Sequence, residues 1–214
     1  RVIVSEAERR TSLSDPLAVE QHILNEVAAA NAAIFNASQS CSQYTGMGTT
    51  LVLAWFYDNR MSVAHVGDSR LYRLRGKHFE QLTRDHSLLQ EQLDNGIITA
   101  EQARYAENRN LVTRALGVDP EVEVEINDFD VLPGDIVLLC SDGLNDMIED
   151  DEIGLALKTL GGKKCKDSDF TCVTISVPLN HFAKNGGGEQ IKVMFAVWPA
   201  SGASKGFYVT AVGG

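Results

Sequence analysis

The chain has 214 residues, a formal net charge of −10, and 44% apolar against 22% charged residues. That length and balance suit one well-buried core with room for an appendage. The charge excludes a non-specific nucleic-acid binder, which needs a basic face, and no apolar run approaches the roughly 18 residues of a membrane span, so no membrane insertion is expected. Residues 1–6 carry neither an initiator Met nor a signal-peptide pattern, which points to an excised piece of a longer protein.

Residues 2–9 read as the tail of a helix. From Pro16 to Ala37 the apolar residues Leu17, Val19, Ile23, Leu24, Val27 and Ile34 recur at helical spacing, and Asp15-Pro16 supplies a cap followed by Pro in the first turn. Gly46-Met47-Gly48-Thr49-Thr50 opens a strand over Leu51–Tyr57. Asp58-Asn59 is a turn signal, Met61–Val66 alternates as a second strand, and Leu71–Leu74 reads as its hairpin partner. Arg75-Gly76-Lys77 then turns into Phe79–Leu82. Residues 86–106 look helical with a break at Asn95-Gly96, and Thr99 followed by Glu101-Gln102 marks a second helix start. Leu111–Leu116 is a short apolar piece. Residues 121–126 alternate as a half-exposed strand, and Leu132–Asp135 turns into the apolar central strand Ile136–Cys140. A helix follows over Asp150–Leu160, stopping at Gly161-Gly162. Beyond it come three strand-like runs, Phe170–Leu179, Gln190–Trp198 and Phe207–Val212. Strand pairs set between helices up to residue 162 indicate an α+β fold with antiparallel sheets covered by helices.

Cys41 sits in a polar stretch and Cys140 inside an apolar strand, so the first 160 residues read as cytosolic. Cys165 and Cys172 lack the spacing of a CxxC zinc or redox motif and can close a short disulfide loop belonging to a different setting.

Chemistry concentrates in two strings that each leave a buried strand, Gly67-Asp68-Ser69-Arg70 and Ser141-Asp142-Gly143-Leu144-Asn145-Asp146. Carboxylates gathered at strand ends are the usual way to hold hard divalent cations. Each string has a plainer reading. Gly-Asp is common in turns, and Asp142 with Asp146, four apart, also fits an acidic cluster favoured at a helix N-terminus, with Glu149-Asp150-Asp151 just beyond.

Read in order, the strings form a series: Gly46-Met47-Gly48-Thr49-Thr50, then Ala64-His65-Val66-Gly67-Asp68-Ser69-Arg70, then Leu82-Thr83-Arg84-Asp85-His86-Ser87. Asn110-Leu111-Val112-Thr113-Arg114-Ala115-Leu116-Gly117 and Gly134-Asp135 through Ser141-Asp142-Gly143-Leu144 complete it. This series over residues 1–162 resembles the bacterial PPM-type (type 2C) metal-dependent protein serine/threonine phosphatases. The resemblance implies an antiparallel β-sandwich flanked by helices, two or three Mn²⁺ or Mg²⁺ ions, and a metal-activated water that attacks the phosphorus of phosphoserine or phosphothreonine. No side chain acts as nucleophile. It assigns Asp142 as a direct metal ligand, and Asp68 and Asp146 to the acidic positions of an additional, weaker metal. Gly143 permits close backbone packing beside the site, with Ser141 and His86 in supporting places. Leu88–Asn110 corresponds to a flap that shapes substrate access. A phosphoprotein is the implied substrate, a cognate serine/threonine kinase the implied partner, and the cytoplasm the implied location.

The family's opening Asp-Gly stretch and closing Asp-Asn motif are not recognisable here, with Asp167 and Asp169 only a weak mimic of the latter. Weak metal binding and slow turnover, or none, are therefore expected, and a catalytically inactive binding domain stands as the alternative. Residues 163–214 are expected to form a separate β-rich appendage that resembles the first strands of a secreted α/β-hydrolase of the tripeptidyl-peptidase type. Gly202-Ala203-Ser204-Lys205-Gly206 fits Gly-x-Ser-x-Gly, which would admit a serine hydrolase. The strand before it, the helix after it and a following Asp and His are lacking, so Ser204 reads as a loop residue.

Overall fold

The computed structural model describes residues 15–103, 106 and 111–158 with their side chains, and beyond them the backbone of four strands within residues 163–210. The chain divides into two compact units, the first made of residues 1–69 and 83–131 and the second of residues 70–82 and 132–214.

The first unit is built on helix α1, Pro16–Ser40. The Asp15 carboxylate accepts from the Ala18 N–H at 3.2 Å, filling one of the orphan donors of the first turn. Val19, Ile23 and Val27 form the buried stripe that the spacing predicts, and they pack with Tyr57, Ala64, Val66 and Leu116 into one core. Against this helix lies a three-stranded antiparallel sheet in the order β1-β2-β5, with β1 at Leu51–Tyr57, β2 at Arg60–Val66 and β5 at Glu125–Asp130. The β1–β2 turn is the predicted Asp58-Asn59, with Asp58 at φ +48°, a conformation that Asp tolerates better than most residues.

β2 is the buried strand that its sequence reads as, covered on both faces. Its polar positions are covered because they are bonded: Ser62 donates to Asp128 on β5, and His65 bonds the Arg84 carbonyl. One boundary shifts: the strand expected over residues 121–126 begins at Glu125, whereas Val122 and Val124 pack on the core without joining the ladder. As read, the helical stretch breaks at Asn95-Gly96 into two short helices, α2 at Leu88–Asp94 capped by Ser87 and α3 at Ala100–Ala103. The predicted capping box is present. Gln102 N–H donates to Thr99 Oγ1 at 3.2 Å, and Thr99 N–H to Gln102 Oε1 at 2.8 Å.

In the second unit, β3 (Arg70–Arg75) pairs with β4 (His78–Gln81) through the Gly76-Lys77 turn, and on its other side with β6 (Ile136–Cys140). The run Leu71–Leu74 is thus not the hairpin partner of β2. Its inward residues Tyr72 and Leu74 join a different core, with Leu138, Cys140, Leu144, Ile148, Ile153 and Leu157. The chain leaves one sheet at Val66 and enters the other at Arg70, and the residues between are where Asp68 sits. After β6 come α4 (Asp142–Asn145) and α5 (Asp150–Lys158), the latter with Asp150, Asp151 and Glu152 in its first turn and Lys158 in its last, the charge order that a helix dipole favours.

The remaining strands are β7 (Lys163–Lys164), β8 (Thr171–Pro178), β9 (Gln190–Trp198) and β10 (Phe207–Thr210). They extend the second sheet to the order β4-β3-β6-β10-β9-β8-β7, with β10 parallel to β6 and every other pairing antiparallel. The proposed helix over residues 2–9, Asp167 and Asp169, and the Gly202–Gly206 string lie outside the described residues.

Candidate functional site

Asp68 occupies a turn held on both sides. Before it, Gly67 adopts φ +103°, and a Cβ there would stand 2.4 Å from Thr50 Cγ2, so only glycine fits. After it, the buried Ser69 hydroxyl meets Thr50 Oγ1 at 2.7 Å. Asp68 itself is half-buried.

Asp142 and Asp146 sit at the other predicted position, where β6 ends. Ser141 is the N-cap of α4 in extended backbone, without a side-chain capping bond. Asp142 is exposed in the first turn, and the Asp146 N–H donates to the Asp142 carbonyl at 2.8 Å, one turn on. Gly143 is exposed, and a Cβ there would meet only Ser141 Oγ at 3.6 Å, ordinary contact. Asp142 thus opens this short helix and Asp146 caps its C-terminal end, one turn on, while Asp68 belongs to the other unit. All three offer hard carboxylate oxygens, the donor type that Mn²⁺ and Mg²⁺ take.

A third cluster escaped the sequence reading. His65, His86 and Glu125 bring one potential ligand atom each to within 4.8 Å of one another. Their geometry nevertheless argues against a cation. The two imidazoles are stacked, with centroids 4.6 Å apart and planes tilted by 17°. Ring lone pairs lie in the ring plane, so two nearly parallel rings cannot both aim at one ion about 2.0–2.1 Å away. The nitrogens of His86 are also engaged: Nδ1 accepts the Gly67 N–H at 3.1 Å, and Nε2 faces Glu125 Oε2 at 3.3 Å.

The cluster is instead a hydrogen-bond network. Burial pushes the His86 imidazole below its ordinary pKa, and the opposing pull of Glu125 does not cancel that. Burial pushes the Glu125 carboxyl up, but the bond from His86, the nearby His65 and the bond from Asn127 outweigh it and hold it below the usual value. The contact therefore joins a neutral imidazole to a carboxylate. His65 Nε2 lies 2.7 Å from the Arg84 carbonyl, which can only accept, so that nitrogen carries the proton. Its Nδ1 is left buried without a partner among the described residues. His86 was singled out in the sequence, whereas Glu125, 39 residues away, read as one tooth of a surface alternation.

The second unit braces its sheet with polar pairs built on the buried side chains of Asp135 and Tyr72, which the sequence also concealed. Asp135 receives two bonds from Arg75, at 2.6 and 2.8 Å, and a third from the Leu132 N–H at 2.9 Å. Burial pushes its carboxyl up, and these donors more than offset that, leaving it below the usual range. Tyr72 donates to Asp150 at 2.9 Å and accepts from Arg70 at 3.0 Å, while burial pushes its phenol up.

Against known proteins, residues 2–166 match the family model described as Protein phosphatase 2C. The chain is 37% identical over 145 residues to protein phosphatase PhpP of Streptococcus pneumoniae, an alignment that covers 68% of this chain and 55% of that protein. It is 41% identical over 132 residues to serine/threonine protein phosphatase PstP of Mycobacterium tuberculosis, covering 62% and 26%. Among solved structures it is similar to serine/threonine phosphatase Stp1 from Staphylococcus aureus, with a TM-score of 0.66 at 31% identity over 75% of this chain and 64% of that one. The catalytic domain of PstP in complex with two manganese ions gives 0.65 at 35% identity, over 74% and 64%. The chain spans about half the length of the curated relatives PhpP and Listeria Stp that it matches.

Proposed function

The chain belongs to the protein phosphatase 2C family, a membership carried by residues 2–166, and from that premise we propose that it serves the metal-dependent removal of phosphate from phosphoserine and phosphothreonine in proteins. The observation that carries this reading is the family match, with carboxylates of the matched motifs standing where β2 and β6 end. Asp142 and Asp146 from one helix turn and Asp68 from the anchored turn are the residues that would hold Mn²⁺ or Mg²⁺. Bound there, such an ion supplies Lewis acidity: it lowers the pKa of water and neutralises charge on a phosphoryl oxygen. A cation also answers an electrostatic difficulty, since a protein of net charge −10 otherwise repels a phosphate monoester. The protein's own part would be to hold the backbone under each carboxylate, a role supported within each unit by the Ser69–Thr50 bond and the glycine turn beside Asp68, and by the Asp146 N–H bond to the Asp142 carbonyl. Ser141 and Gly143 start the helix that carries two of them.

A cognate serine/threonine kinase would supply the phosphoprotein, and the cytoplasm is the compartment this reading gives it. Among the described residues no helix is long and apolar enough to cross a membrane. Release of inorganic phosphate from a phosphothreonine peptide, with Mn²⁺ and then with excess EDTA, tests the proposal. Mn²⁺-dependent release supports it. Peptide binding by the folded chain without release would assign the alternative role of a phosphatase-like binding domain.

A further inference from the structure

We infer that Glu125, His86 and the Gly67 backbone form a positioning relay that fixes the turn carrying Asp68, with His86 held as the neutral tautomer protonated on Nε2. The inference rests on the proposed function only where it gives Asp68 a metal to meet. The relay itself is a matter of hydrogen-bond bookkeeping.

His86 grips Gly67 from both ends of the peptide. Its backbone N–H donates to the Gly67 carbonyl at 3.0 Å, and its ring Nδ1 accepts the Gly67 N–H at 3.1 Å. An N–H can only donate, so Nδ1 must be bare and the ring proton must sit on Nε2. That nitrogen faces Glu125 Oε2 at 3.3 Å, and the other Glu125 oxygen accepts from Asn127 at 3.0 Å, which orients the carboxylate. The residue cannot swing away. Its carbonyl accepts the Thr113 N–H at 2.8 Å, and its ring lies stacked on His65, itself tied to Arg84. Gly67, at φ +103° and in contact with Thr50, has no room to re-aim. The residues on either side of Asp68 are therefore anchored independently, Ser69 by the Thr50 hydroxyl and Gly67 by His86. Only the second anchor depends on a tautomer, and Glu125 selects it. A plain core histidine would need neither a bare Nδ1 nor a carboxylate opposite.

The paired substitutions His86→Asn and His86→Gln separate the two nitrogens. An Asn carbonyl oxygen can take the place of Nδ1 and keep the bond from Gly67. A Gln amide reaches toward Glu125 but gives Gly67 no acceptor. In the ¹⁵N spectrum of the wild-type chain, Nδ1 of His86 is expected unprotonated and Nε2 protonated. The Gly67 amide should resist hydrogen exchange in wild type and in His86→Asn, and exchange at least tenfold faster in His86→Gln. With Mn²⁺ alone as the probe, followed by water-proton relaxation, His86→Gln should weaken binding about tenfold, the usual size for a residue that orients a ligand. The same change should do nothing further in an Asp68→Asn background, where the ligand it orients is gone. If His86→Gln does not fold, Glu125→Ala carries the same readouts, with a smaller loss of the same sign.

A His86 ring protonated on Nδ1, or Gly67 exchange equal in the Asn and Gln variants, overturns the relay. Absence of Asp68-dependent Mn²⁺ binding in wild type would instead overturn the metal reading, and the tautomer and the exchange pattern would still decide the relay.

Discussion

Asn31 makes three side-chain hydrogen bonds in the first unit, and removing it has a calculable cost. The side chain is 1% exposed on the inner face of α1. Its Oδ1 accepts the buried Gly117 N–H at 2.7 Å, and its Nδ2 donates to the carbonyls of Asp119 and Pro120 at 3.0 and 3.2 Å. One side chain thus ties the helix to a loop 86 residues away. Asn31→Ala strands a buried N–H, at about 1–3 kcal/mol, and removes a donor from the carbonyls of two exposed residues that keep other acceptor sites, for about 1 kcal/mol more. The expected loss is about 3 kcal/mol, a large share of the roughly 5–15 kcal/mol of a whole domain. At a urea slope of about 2 kcal/mol/M the unfolding midpoint should fall by about 1.5 M. Trp55, on β1 of the same unit, reports it by fluorescence. Asn31→Asp should not rescue, because it restores the acceptor for Gly117 but points a carboxylate at two carbonyl oxygens. A midpoint shift under about 0.3 M in the Ala variant would refute the reasoning, since it would put the contact below the worth of one ordinary hydrogen bond.

Other consequences are equally direct. Asp135 has a lowered folded pKa, so its contribution is present above the unfolded value of about 3.9 and is lost as pH falls through the folded one. Asp135→Asn should therefore destabilise the chain at pH 7 and flatten the fall in stability below pH 4, and an unchanged acid limb in pH-dependent urea titrations would contradict this. Gly67→Ala adds both a clash with Thr50 and a strained φ, for an expected cost of about 2–4 kcal/mol. Thermal unfolding checks it, and a Thr50→Ser background, which lacks the clashing methyl, should recover part of the loss.

Much of the fold was legible in the sequence because it rests on local signals. The Asp15 cap, the Asp58-Asn59 turn and the Thr99 capping box are each settled within four residues, and all three appear as read. Pairing was less legible. Leu71–Leu74 follows β2 so closely that a hairpin is the natural reading, yet which sheet a strand joins is decided by the core its inward side chains meet. The bonding partners of β2 were hidden for a related reason. Ser62 and His65 sit in a strand that reads as buried, but Asp128 and Arg84, which bond them, come from elsewhere in the chain. The candidate site divides in the same way. Asp68, Asp142 and Asp146 stand in ordered motifs, whereas Glu125 carries no motif and acquires its meaning only from the ring nitrogen opposite it.

The central claim is metal-dependent phosphate-ester hydrolysis at Asp68, Asp142 and Asp146, and hydrolysis of a small aryl phosphate by the folded chain tests it most directly. The expected result is slow turnover that requires Mn²⁺, stops with excess EDTA, and falls at least a hundredfold in Asp142→Ala, a loss of at least about 2.7 kcal/mol in transition-state stabilisation. Turnover that persists in EDTA, or that Asp142→Ala leaves intact, would contradict it.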